Sequence, residues 1–122
     1  MPVRSLSSSV IRWPDKKAVD EAVRNWAETA AGERREVVRI GYFGSYARDD
    51  WGVGSDLDIV IVVEDAPEPF QRRAAKWDAT TLPVPADLLI YTEHEWDAID
   101  PQSRFGKVIK NETVWAYVRS RR

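Results

Sequence analysis

Apolar and polar positions recur along this chain with two periods, and the switches between them mark the elements. Over residues 16–31 the apolar positions are Val19, Ala22, Val23, Trp26, Ala27 and Ala30. That is the i, i+3, i+4, i+7 spacing of a one-faced helix. Asp15 behind Pro14 predicts its N-cap, and Gly32 predicts its stop. Residues 37–43, VVRIGYF, are β-branched and aromatic and predict a strand. The run ends at Gly44-Ser45, where a short helix over Tyr46, Ala47 and Arg48 is expected. A glycine-containing loop, 49–55, then leads to a second strand over 56–63. Pro67 and Pro69 open a helix with Phe70, Ala74 and Trp77 on one face. Pro83 and Pro85 introduce a third strand, 86–91. A short helix near 93–99 follows. An amphipathic stretch over 105–118, with Phe105, Val108, Ile109, Val114, Trp115 and Val118, closes the pattern.

Helices interleaved with a few strands predict an α/β (α+β) fold, a small mixed sheet of about three to four strands flanked by helices. Strand order and direction are not readable from the pattern. A length of 122 residues suits one domain, 1–122, with the Ser-rich segment 1–14 as a loose N-terminal extension.

Composition narrows the chemistry. The chain has no cysteine and a single histidine, His94, which excludes disulfides, thiolate zinc sites and Cys/His nucleophile pairs. Asp, Glu and Ser remain as metal and phosphate ligands. A net charge of −2 argues against direct nucleic-acid binding. The longest apolar run, 59–63, is too short to span a bilayer, and the first residues carry no apolar signal core. A cytoplasmic location without a membrane partner is expected.

One stretch departs from ordinary core patterning. Residues 44–58 read GSYARDDWGVGSDLD, directly before IVIVV. On a strand, Asp56 and Asp58 would share a face about 7 Å apart. Like charges so placed repel, and a hard divalent cation relieves the repulsion. Asp87 leads another apolar strand, ADLLI. If the two strands are neighbours, three carboxylates converge in the manner of two-metal phosphoryl transfer. Gly44-Ser45, turning from strand into helix, offers free N–H groups and a hydroxyl to a phosphate. Each feature also has a plainer reading: solvated loop aspartates, a capped glycine turn, and Arg48 in a surface ion pair with Asp49 or Asp50. Tyr42, Tyr46 and Trp51 could stack on a base or serve as core and rim.

Taken together, GSYAR, SDLDIVIVV and ADLLIYT resemble the minimal nucleotidyltransferases (MNT) of the DNA polymerase β-like superfamily. Their motif is a Gly-Ser, a spacer (here 46–55), an acidic-x-acidic pair on the next strand and a third acidic residue on a later one. The resemblance is firm over residues 40–91, and FGKVIKNETVWAY is similar to the closing segment of minimal members. It implies the minimal nucleotidyltransferase fold and transfer of AMP from ATP to a hydroxyl acceptor, with pyrophosphate as leaving group. Asp56, Asp58 and Asp87 would be the catalytic residues and would hold two Mg²⁺ ions. Gly44, Ser45, Arg48 and Ser55 would bind the nucleotide.

Small stand-alone members resemble the antitoxin half of HEPN–MNT toxin–antitoxin pairs. That likeness implies a HEPN-type toxin as partner and AMPylation of a toxin tyrosine. The six tryptophans could supply a partner surface or fill the core. Two other readings stand beside this one. The first is transfer to a small molecule such as an aminoglycoside, with a homodimer completing the acceptor pocket. The second is a non-catalytic module that blocks a toxin sterically.

Overall fold

The computed structural model describes residues 13–120. The expected loose extension, 1–14, therefore lies outside the described residues except for Trp13 and Pro14. Trp13 is held: its indole N–H donates to the Tyr46 hydroxyl at 2.7 Å.

Helix α1 (Lys16–Glu33) buries Val19, Val23, Ala27 and Ala30, the stripe its spacing predicted. The Asp15 carboxylate caps it by accepting the Ala18 N–H. Gly32 does not stop the helix, which runs on to Glu33. A glycine in a last turn costs only about 1 kcal/mol, and the buried stripe outweighs that. The helix stops where Arg34 turns extended to enter the sheet.

Among the described residues four strands form one mixed sheet in the order β3-β2-β1-β4: β1 (Val37–Phe43), β2 (Leu57–Val63), β3 (Ala86–Thr92) and β4 (Val114–Val118). β1 runs antiparallel to β2 and β4, while β2 and β3 are parallel. On one face Ile40, Tyr42, Leu57, Ile59 and Ile61 pack with α1; on the other, Val38, Val60 and Val62 pack with Trp96 and Ile109. β2 is covered on both faces, which is why it reads as unbroken IVIVV rather than as an alternation.

A parallel pair needs a long crossover, and residues 64–85 supply it. The helix expected there shrinks to one turn, α3 (Phe70–Arg73), followed by a 3-10 turn (Ala74–Lys76). Its apolar residues do not share a face. Phe70 packs at a tilt against Tyr91 with ring centres 5.2 Å apart, whereas Ala74 and Trp77 join the α1 side. Each core draws one end of the segment, and no regular helix can serve both.

The stretch 105–118 likewise divides. α4 (Glu93–Ala98) opens with a Thr92/Glu95 capping box, α5 (Arg104–Glu112) follows, and the chain breaks at Thr113 into the edge strand β4. β4 lies so close to β1 that a Cβ on Gly41 would sit 2.7 Å from both Thr113 Cγ2 and the Val114 carbonyl oxygen. The tryptophans go to packing. Trp96 is buried, Trp26 and Trp77 pair, and no tryptophan is among the exposed large apolar side chains. No helix among the described residues is long and apolar enough to cross a membrane.

Candidate functional site

The C-terminal end of β1 meets the N-terminal ends of β2 and β3, and this junction brings the acidic residues together. Asp58 on β2 is paired across the sheet with Phe43 on one side and Asp87 on the other. Parallel register partners point to the same face about 4.8 Å apart, so Asp58 and Asp87 are direct neighbours. Asp56 falls one residue ahead of β2, which starts at Leu57 rather than at Asp56. Asp56 and Asp87 are exposed, and Asp58 is partly buried.

Burial raises the Asp58 carboxyl above its ordinary value, the charges of Asp87 and Asp56 push it further the same way, and Arg48 pulls against them. Asp58 thus lies within the field of both other carboxylates. Among the described residues none of the three forms a hydrogen bond or ion pair, in contrast to Glu95 or Asp20, which are both tied to arginines.

Gly44 fits this arrangement closely. Its backbone has φ 83° and ψ −151°, a region open essentially to glycine alone. A Cβ there would collide with the Asp58 carboxylate, so the chain passes directly against the acidic group. The helix that follows, α2 (Ser45–Arg48), has only four residues. So short a helix adds little dipole, and any anion held here would rely on close backbone approach rather than on a helix end. Gly44, not Ser45, is the cap residue, and the Ser45 carbonyl closes the turn by accepting the Asp50 N–H at 3.0 Å.

Arg48 and Ser55 have defined structural partners. Arg48 bridges Asp50 at 3.2 Å and Glu112 at 3.3 Å, tying the site loop to α5. Of its two expected pairings, that with Asp50 forms. Ser55 closes the loop before Asp56, with its Oγ accepting the Gly52 N–H at 2.8 Å. Tyr42 and Tyr46 are fully buried, and Trp51 lies parallel to Tyr46 at 5.6 Å; the two tyrosines belong to the core. The sequence reading did not single out Phe43 or Glu112. Phe43 lies on the carboxylate face through its register with Asp58, and Glu112 reaches Arg48 only through the packing of α5. Phe43 was legible as the residue alternating with buried Tyr42; Glu112 had no local signal.

An open cleft of about 470 Å³ is lined by Asp58, Asp87, Leu88, Leu89, Ala86 and Trp77 among others. The donor set suits a hard divalent cation: carboxylate oxygens, no competing cationic partner on them, and mutual repulsion to relieve. As placed, however, no three His, Cys, Asp or Glu side chains among the described residues are arranged to hold a metal ion. They are a set of donors rather than a closed cage.

Comparison with known proteins bears on the fold and the family. No curated protein sequence matches the chain at a significant level. A crystal structure of a candidate nucleotidyltransferase from Sulfolobus solfataricus superposes with a TM-score of 0.62 at 21% identity, over 85% of this chain and 84% of that one; it shares the fold. The family profile described as "Nucleotidyltransferase domain" matches residues 24–116, from within α1 to within β4. The chain belongs to the nucleotidyltransferase domain family.

Proposed function

We propose that the protein transfers a nucleotidyl group from a nucleoside triphosphate, with ATP as donor, to a hydroxyl acceptor in a Mg²⁺-dependent reaction. The observation carrying this reading is Asp58, a partly buried carboxylate without a counter-ion, flanked by Asp87 and Asp56 and pressed against the Gly44 backbone. Asp56, Asp58 and Asp87 would hold Mg²⁺. Bound there, the cation supplies charge neutralisation and Lewis acidity at the phosphate oxygens.

The chain's own residues do the rest. The bare backbone at Gly44 lies directly against Asp58, so a triphosphate could approach the carboxylates along it, with the Ser45 hydroxyl offered to a phosphate oxygen. Arg48, fixed between Asp50 and Glu112, adds positive potential without entering the cleft. In the transfer, the acceptor oxygen forms a bond to the α-phosphorus and the bond to the bridging oxygen breaks. Pyrophosphate leaves, and the acceptor's proton passes to the exposed carboxylate of Asp87.

For the acceptor, we favour a tyrosine on a HEPN-type toxin, which makes the protein an AMPylating antitoxin. The small-molecule and purely steric readings are its competitors. The test is transfer from α-labelled ATP with Mg²⁺ into a lysate carrying the product of the neighbouring reading frame. Label on a protein band with wild type, and none with Asp56→Asn/Asp58→Asn, is the expected result. No label with either protein, while the partner is still silenced, would leave only the steric reading.

A further inference from the structure

The backbone along the outer edge of β3 is capped at one end and open at the other. Among the described residues β3 has a sheet neighbour only in β2. The Leu57 N–H donates to the Pro85 carbonyl, and Leu57 is in register with Ala86. In a parallel ladder this sends the Pro85 C=O and the N–H and C=O of residues 87, 89 and 91 toward β2, and those of 86, 88, 90 and 92 outward. Two of the outward groups are taken. The Ile90 carbonyl accepts from Arg73 at 3.0 Å, and the Thr92 N–H donates to Glu95 at 2.9 Å. Arg73 and Glu95 are themselves paired at 2.6 Å, so one clamp seals the far half of the edge.

No described residue bonds the outward N–H or C=O of Leu88, which is partly exposed, whereas Ile90 is already covered. This open half borders the carboxylates, and Ala86, Leu88, Asp87 and Asp58 line one cleft with Trp77. Unpaired edges invite another strand, and proteins ordinarily cover them; here the cover stops where the candidate site begins.

We infer that the open half of β3 is the acceptor-docking surface, and that its occupant is an extended polypeptide segment bearing a hydroxyl side chain, added as a strand beside Leu88. This rests on the transfer reading above and names its acceptor class from the backbone alone. A residue of that segment opposite Asp87 would share its face, about 4.8 Å away. Its hydroxyl would stand next to the group that takes its proton. A small-molecule acceptor would have no use for a row of free backbone groups.

The probe is a synthetic peptide of about seven residues, the length of a strand, alternating valine and threonine around a central tyrosine. Its partner probe carries N-methyl groups on alternate amides. Hydrogen exchange at the Leu88 amide of the full chain should slow by about tenfold or more with the plain peptide and not with the methylated one. Leu88→Pro removes an outward donor and leaves the β2–β3 ladder intact. It should weaken peptide binding about three- to tenfold. Leu88→Ala loses side-chain packing and keeps the donor, so it should bind within about twofold of wild type.

Unchanged exchange at saturating peptide overturns the proposal. So does slowing that depends on protein concentration without peptide, which would make a second copy the occupant. Slowed exchange without label transfer to the tyrosine keeps the docking surface and removes the transferase reading.

Discussion

At the scale of single residues, Asp58 is placed against the interest of the fold. Its native carboxyl is raised, chiefly by burial and then by Asp87 and Asp56. The folded state therefore binds its proton more tightly than the unfolded chain does. Stability falls as pH rises from the ordinary aspartate value through the raised one, and the cost persists at neutrality. Asp58→Asn should thus raise the urea midpoint at pH 7 without divalent cation, and the gain should shrink toward pH 3. A midpoint that drops instead would mean Asp58 has a stabilising partner. Gly44 holds the opposite position: removing it harms both fold and site. Gly44→Ala forces an alanine into a glycine-only region and into the Asp58 carboxylate. A loss of about 1–3 kcal/mol in equilibrium unfolding is expected, together with loss of nucleotidyl transfer. Neither effect was legible beyond the bare Gly-Ser and D-x-D signals, because both depend on β1 and β2 lying side by side.

Among the elements, the Arg73–Glu95 clamp joins the crossover to β3 and α4. Arg73 is buried and also donates to the Glu68 and Ile90 carbonyls. The Arg73 hydrogen bond holds the Glu95 carboxyl down to about 2. Its sign is opposite to that of Asp58: the stabilisation is complete above the unfolded glutamate value of about 4.3 and disappears as pH falls toward about 2. Wild type should lose more stability than Glu95→Gln over that acid range, measured by thermal melts at stepped pH. Equal losses would show that solvent already screens the pair, since Glu95 is 40% exposed. Local pattern located α1, β1 and β3 to within a residue or two, α1 by its single buried stripe and the two strands by apolar runs bounded by glycine or proline. It failed for Phe70 to Trp77, where two cores compete for one short segment. It left 105–118 undivided because helix and edge strand there carry similar apolar residues.

For the molecule as a whole, the fold and a divalent cation should be linked. A ligand that binds only the native state stabilises it by about 2.7 kcal/mol at a hundred times its dissociation constant. Adding Mg²⁺ should raise the melting temperature of wild type in a concentration-dependent way and leave Asp56→Asn/Asp58→Asn unmoved. A shift of equal size in both proteins would point to nonspecific charge screening.

Local sequence was enough for the α+β class, the one-faced helix α1, the buried strand β2 and the acidic residues that lead β2 and β3. Each follows from side-chain period or residue chemistry over a few consecutive positions. The tertiary structure decided that β2 and β3 run parallel and adjacent, which turns Asp58 and Asp87 into neighbours. It decided that Arg48 is held by Glu112, 64 residues away. It also decided that only half of the β3 edge is capped. Those outcomes depend on strand order and on contacts distant along the chain. A periodic pattern records which face of an element is buried, and it carries no record of what lies across that face.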